Sequence, residues 1–473
     1  TATNAHNTAV GYFAGAAVTT AISNTIIGAL AGDALTTGSD NVAVGVAALS
    51  ADTNGALSVA IGSNALANQN FTTATDAYNV AVGTLAGGAI TVGTINTLIG
   101  GAAGDALTTG DSNVAVGYVA LSADTQGDRS VAIGAGALKT QNFTTATSAY
   151  NIGIGYDAGA SVTTAIYNTL IGGLAGDALT SGNNNTAVGV AALSTDTLGD
   201  RNVAIGVSAL EQQNFTTSTD SYNVAVGYTA GLRVTTGVDN TLIGGLSGDA
   251  ITDADFNVAV GNSSLSANTV GSRNTAIGSS ALLVMNPSTA ADTYNTAAGY
   301  HAGRLVSTGT YNTILGSLAA DSLTTGSFNV AVGADALGGS SATSAEDNTC
   351  VGYAAGFDIT TGDNNIALGH DALRSGSPGG PASTDSNVIG LGDENIASFH
   401  CQVSLTVSSD QRDKTDFVDL DLGLDFVKSL EPVTYYWDKR AKYLNRNNED
   451  GTPNKDYDLD SVTPDGTHKE DWM

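Results

Sequence analysis

Ser409 and Lys414 stand close together in the stretch Ser409-Asp410-Gln411-Arg412-Asp413-Lys414. A hydroxyl is a weak nucleophile until a base takes its proton. A lysine amine becomes that base only where burial lowers its pKa. Asp410 and Asp413 hold Lys414 in its charged form unless the fold separates them. Taken alone, the pair equally describes a helix-capping serine and a solvated lysine. A second set is a column of carboxylates, Asp33, Asp105, Asp177, Asp249 and Asp321, at one constant spacing. Such a column could hold cations, calcium among them, or could be turn residues in water. A third set is aromatic: Phe71, Phe143 and Phe215, with Tyr78, Tyr150 and Tyr222, recur in one type of loop. Contacts to ligands gather on loops of rigid scaffolds, but the same rings could cap a corner. His6, His301, His370, His400 and His468 lack metal-ligand spacing, and Cys350 and Cys401 are too few for a multi-cysteine zinc site. No carboxylate pair marks a glycosidase. No metal and no cofactor is expected.

The elements that carry these residues are unusual. Of 473 residues, 59 are Gly, only 13% are charged and 6% are aromatic. Ordinary domains carry about 25% charged residues. The net charge of −29 excludes a nucleic-acid binder, which needs a basic face. Collagen is excluded because Gly is not every third residue and Pro numbers 6. A hydrophobic content of 42% with few charges is enough to bury a core, against disorder. No apolar run of about 18 residues predicts a membrane span. The chain begins in mid-pattern, without an initiator Met or a signal peptide.

The pattern is Asn-x-x-x-Gly. It starts at Asn7 and recurs to Asn365, with Ser at positions 58 and 130, and Gly fills the fifth place in all 21 copies. A degenerate copy lies near Asn387. Spacings of 17, 17, 17 and 21 repeat, giving a 72-residue superrepeat. The four extra residues fall in Gln69–Tyr78, Gln141–Tyr150, Gln213–Tyr222 and Met285–Tyr294. After Asn329 the spacing loosens.

Each unit contains a strand such as Val42-Ala43-Val44, apolar on both faces. One face suits the coil's own core and the other another chain. A second short segment, such as Val46-Ala47-Ala48-Leu49, precedes a polar turn. Gly45 and Gly117 mark corners of unusual φ or close backbone approach. Asn41 and Asn113 belong to a column whose amides would stack from rung to rung. The expectation is an all-β fold: a parallel β-roll or β-solenoid rod of 17-residue rungs over residues 1–400. At ~4.8 Å per rung it would be about 100 Å long. Lateral association into a homotrimer would cover the outer strand face.

The units Asn-Val-Ala-Val-Gly and Ser-Val-Ala-Ile-Gly resemble the head repeats of trimeric autotransporter adhesins, which implies a left-handed parallel β-roll in a trimer. The family's usual unit is shorter than this one, so corners and loops differ here. Similar repeats occur in phage tail fibres.

Composition changes near residue 400. Lys and Arg number 7 in residues 1–400 and 9 in residues 401–473, and both Trp lie in the latter. Leu422, Phe426, Val427 and Leu430 have helical spacing, Pro432 ends that helix, and Val433–Trp437 reads as a strand. A small α+β domain is expected at 401–473. Its residues Ser409-Asp410-Gln411-Arg412-Asp413-Lys414, Leu422-Gly423-Leu424-Asp425-Phe426 and Leu430-Glu431-Pro432-Val433-Thr434-Tyr435 resemble the peptidase S74 intramolecular chaperone domain of phage tailspikes and tail fibres. That resemblance implies assistance of trimerisation, then self-cleavage at Ser409-Asp410 by a serine, Ser409, and a lysine, Lys414. The family pattern continues through a further segment and helix that lie past Met473, so the domain is expected to be partial.

Together these readings predict a virion tail-fibre protein for attachment to a bacterial host. Its partners would be two further copies, other tail or baseplate proteins, and a host cell-surface glycan or protein receptor. No nucleic acid, membrane insertion or substrate-directed enzyme activity is expected. The alternative is a bacterial trimeric surface adhesin or extracellular filament protein, on the cell surface.

Overall fold

Each Asn-x-x-x-Gly unit folds as a three-residue strand that starts just after its Asn and ends just before its Gly. Val42–Val44 is one example and Val114–Val116 another. The structure, a computed structural model, describes residues 4–339, 343–400 and 402, with the backbone of 437–438 and 469–470. These 21 strands and Ile389–Leu391, from the degenerate copy near Asn387, form one 22-stranded parallel sheet, each paired with the strand of the next turn. Register never slips: Thr25 faces Val42, Val42 faces Val59, and Val59 faces Val80 across the longer spacing of the insertion. The fold is thus an all-β parallel β-solenoid with one rung per Asn-x-x-x-Gly unit, and no helix occurs among the described residues. It occupies one compact unit, Thr1–Ser398. The second unit is Phe399–Met473, in which Trp437–Asp438 pairs antiparallel with Lys469–Glu470. Trp437 ends the strand expected at Val433–Trp437; the remainder of that strand and the expected helix lie outside the described residues.

The four extra residues leave the main sheet undisturbed because they make a small pairing of their own. Gly55–Ala56 pairs in parallel with Thr75–Asp76, and Gly127–Asp128 with Thr147–Ser148. The insertion is therefore a side ladder, absorbed on one flank of the coil.

Inside the coil the middle strand residue is buried, and its size dictates its neighbours. Leu98 is fully buried, and Gly87 and Gly104 stand where a Cβ would come within 2.7 and 2.8 Å of its methyls. Leu170 has the same relation to Gly159 and Gly176, and Leu242 to Gly231 and Gly248. The next two rungs, centred on Ala115 and Ala132, carry buried Leu121 and Leu138 at the place of Gly104. Interiors pack to near-crystalline density, so a large residue on the strand requires a small one opposite. This alternation is the physical content of the superrepeat.

The second segment of each rung is a turn rather than a strand. Ala47 and Leu49 both have positive φ, at 53°, as do Val119 and Leu121 at 51° and 54°. Left-handed backbone costs a non-Gly residue roughly 1–2 kcal/mol. The cost is offset by ladders: the Ala47 amide donates to Ala29 at 3.0 Å and the Leu49 amide to Ala65 at 3.0 Å.

Candidate functional site

The asparagine column is a buried ladder, interrupted at Ser58 and Ser130, where Gln69 and Gln141 bridge to the next asparagine. The Asn113 side chain donates to the Gly127 carbonyl at 2.8 Å and to Asn96 Oδ1 at 3.2 Å, and its own Oδ1 accepts from the Ser130 amide at 2.9 Å. Asn41 repeats this with Gly55 at 2.9 Å and the Ser58 amide at 2.9 Å. Each amide thus satisfies backbone groups that water cannot reach. Gly45 and Gly117 have φ of 140° and 143°, and a Cβ on either would overlap the carbonyl of Gly62 or Gly134 one turn on.

The insertion loops are tied down by a buried polar cluster that the pattern of apolar residues did not reveal. Asp52 Oδ2 accepts from Gln69 Nε2 at 2.7 Å, and its Oδ1 accepts from the amides of Gly55 and Phe71 at 2.9 and 3.2 Å. Gln69 Oε1 accepts from Asn79 Nδ2 at 2.9 Å, which joins the cluster to the asparagine ladder. Asp124 with Gln141, and Asp196 with Gln213, repeat the arrangement. In the fourth copy Asn268 stands for the acid and Met285 for the glutamine, both fully buried. The two changes belong together, since Met offers no N–H for a carboxylate to accept. Burial pushes the Asp124 carboxyl above its ordinary value, and hydrogen bonds from Gln141 and nearby amides pull it partly back. The signal was present in the sequence as an Asp and a Gln that recur together at constant spacing.

Phe71, Phe143 and Phe215 are only 5–6% exposed, whereas Tyr78, Tyr150 and Tyr222 are 48–54% exposed. Each phenylalanine therefore packs under its loop and each tyrosine lies on its outside. The Arg129 guanidinium sits 5.7 Å from the Tyr150 ring, and Arg201 sits 5.6 Å from Tyr222. Tyr167 stacks on Tyr150 at 5.7 Å. The tyrosines belong to an edge column that continues as Phe256, Arg273, Tyr294, Tyr311 and Phe328.

The aspartate column is not simply solvated. Asp33, Asp105, Asp177 and Asp249 each have Oδ1 buried without a hydrogen-bond partner. Burial raises the carboxyls of Asp105, Asp177 and Asp321 above the usual range. Among the described residues no group of three His, Cys, Asp or Glu side chains could hold a metal ion. Cys350 is a buried free thiol in the core, pushed up to about 12 by burial, and is thus held as the unreactive thiol. Ser409, Lys414 and Cys401 lie outside the described residues.

On the outer face of the sheet the third strand position stays apolar along its length. Ile27, Ile61, Ile99, Ile133, Ile205 and Ile243 occupy one column and are each 37–40% exposed. Among the described residues no helix is long and apolar enough to cross a membrane.

Residues 409–455 match the Peptidase_S74 family, described as the chaperone of endosialidase. No curated protein matches the chain. The chain therefore carries a chaperone-of-endosialidase domain C-terminal to a β-solenoid rod of about 21 turns, an order of parts consistent with a tail fibre and its C-terminal chaperone.

Proposed function

We propose that the chain is the shaft of a homotrimeric phage tail fibre that attaches the virion to a bacterial surface. The C-terminal segment acts as a self-cleaving trimerisation chaperone. The observation that carries this reading is the chaperone-of-endosialidase match at 409–455, placed after a long in-register solenoid.

The physics of assembly explains why the two parts go together. Every rung offers nearly the same edge and face to a neighbouring chain, so three copies can pair in many registers. A terminal domain that trimerises first sets one register before the shafts zip. The exposed isoleucine column is the face that the other copies cover, because an apolar strip of that length marks an interaction surface. In the chaperone segment Ser409 is the nucleophile and Lys414 the base, with cleavage at Ser409-Asp410. The other end of the fibre docks on tail or baseplate proteins. Tyr78, Tyr150 and Tyr222 contact the host glycan or protein receptor, while Phe71, Phe143 and Phe215 hold their loops from beneath.

The test is electrophoresis of the unheated chain in SDS, expected to give a trimer band, with a shortened product when the full chaperone domain is present. Ser409→Ala and Lys414→Ala should each abolish the shortening while leaving the trimer. Unchanged processing in both variants refutes the dyad, and a monomer at every concentration refutes the fibre.

A further inference from the structure

The internal repeat supplies its own controls for the aspartate column. Asp105, Asp177, Asp249 and Asp321 lie in the same backbone frame: their carbonyls accept from the amides of Ala89, Ser161, Arg233 and Leu305 at 3.0, 2.9, 3.2 and 3.1 Å. What differs is the side chains around them. Lys139 takes the place of Ala67, and its Nζ lies 2.7 Å from Asp157 and pulls the burial-raised Asp177 partly back down. Arg304 takes the place of Gly88 and lies 3.9 Å from Asp321. Arg233 takes the place of Ala89. The copies at Asp177 and Asp321 therefore each bring a cation near their aspartate, by different routes.

The copy at Asp105 brings none. Ala67, Gly88 and Ala89 leave instead an open groove of about 360 Å³, completed by Asn64, Asn68, Leu85 and Asp105. Asp105 Oδ1 is buried without a partner. We propose that this groove binds an amino sugar, whose ammonium group pairs with Asp105 as Arg304 pairs with Asp321 in a later copy. The Asn64 and Asn68 amides suit sugar hydroxyls, since each offers both donors and an acceptor. Leu85, 44% exposed, suits the C–H face of the ring. A charge-assisted hydrogen bond to a partly buried carboxylate is stronger than a neutral one, so the ammonium dominates recognition. The site stands independently of trimer formation and self-cleavage.

The experiment is calorimetric or NMR titration of the full chain with glucosamine, glucose and N-acetylglucosamine. Glucosamine should bind saturably with a Kd on the order of 1 mM, and the two neutral sugars at least about tenfold more weakly. Asp105→Asn should weaken glucosamine about tenfold or more. Ala89→Arg, which puts a long cationic side chain on the groove wall as Arg233 does at the equivalent position, should also lose it while keeping the wild-type circular dichroism spectrum. Asp249→Asn should bind as wild type does. The proposal is overturned by no saturation up to about 100 mM, by equal binding of N-acetylglucosamine, by full binding to Asp105→Asn, or by a groove that takes calcium but not glucosamine.

Discussion

Gly117 shows how little freedom one position has. Its φ of 143° and the adjacent Gly134 carbonyl leave no space for a Cβ. Gly117→Ala is expected to destabilise the solenoid by at least about 2 kcal/mol, read as a lower thermal midpoint. The buried acids allow a finer test. Asp124→Ala removes the acceptor of Gln141 at 2.6 Å, of Gly127 at 3.0 Å and of Phe143 at 3.1 Å. With three donors left unpaired, a loss of about 3–5 kcal/mol is expected. Asp124→Asn combined with Gln141→Met copies the natural pair Asn268 and Met285, and the double variant should be more stable than the sum of the singles by about 1 kcal/mol or more. A strictly additive denaturation cycle would show that the two residues do not compensate each other. pH gives a third residue-scale test. Burial raises Asp105, Asp177 and Asp321 above the ordinary carboxylate value of 3.8. A raised pKa means that the folded state holds its proton to higher pH than the unfolded chain. Stability from these groups is therefore full below the unfolded value and falls as pH rises through the folded one. Asp105→Asn should melt higher than wild type at neutral pH, with the gap closing as pH drops below about 3.8.

At the scale of the element, one rung is not interchangeable with the next. Leu98 fills the space that Gly87, on the rung before it, and Gly104, on its own rung, leave open. Deleting residues 96–112 removes that leucine and stacks Gly87 against a rung centred on Ala115, which creates a cavity. A cavity left by a lost leucine costs about 2.7–5 kcal/mol. Deleting the whole superrepeat 79–150 restores matching neighbours, so it should lower the thermal midpoint far less despite removing more residues. Comparison of the two deletions by thermal melting decides whether the superrepeat is a packing rule. The asparagine ladder makes the same point for polar groups: Asn113→Ala strands the Gly127 carbonyl and the Ser130 amide in the core. About 2–4 kcal/mol of destabilisation follows.

For the whole molecule, the solenoid settles its interior and leaves one face unsettled. Its sheet is closed by hydrogen bonds from turn to turn, yet Ile27, Ile61 and Ile99 remain exposed on the outside. If three copies cover this face, Ile99→Asp with Ile133→Asp should convert an SDS-resistant trimer into a band that dissociates without heating. Resistance that survives both charges would move the interface to another face of the coil.

Much of this was legible in the chain itself. The Asn and Gly columns announced the coil, because a ladder that must satisfy the same backbone groups turn after turn favours the same residue at each, with Ser only at 58 and 130. The aliphatic residues between them announced strands with one face in the coil's own core. Other features were not legible. Ile95, Tyr167 and Phe256 take φ of 61°, 62° and 58°, although their types give no hint of a left-handed backbone. Hydrogen bonds such as that from the Ile95 amide to Ala77 at 2.8 Å impose it. Phe71 and Tyr78 stand in one loop with similar chemistry, and only the path of the side ladder puts one inside and the other out. The open groove at Asp105 is a difference in side-chain volume among superposed copies. The sequence by itself determined the repeat, its period and the coil, because these follow from local chemistry repeated at fixed spacing. Which repeated residues are buried, strained or left facing an empty groove was decided only when successive turns of the coil came into contact.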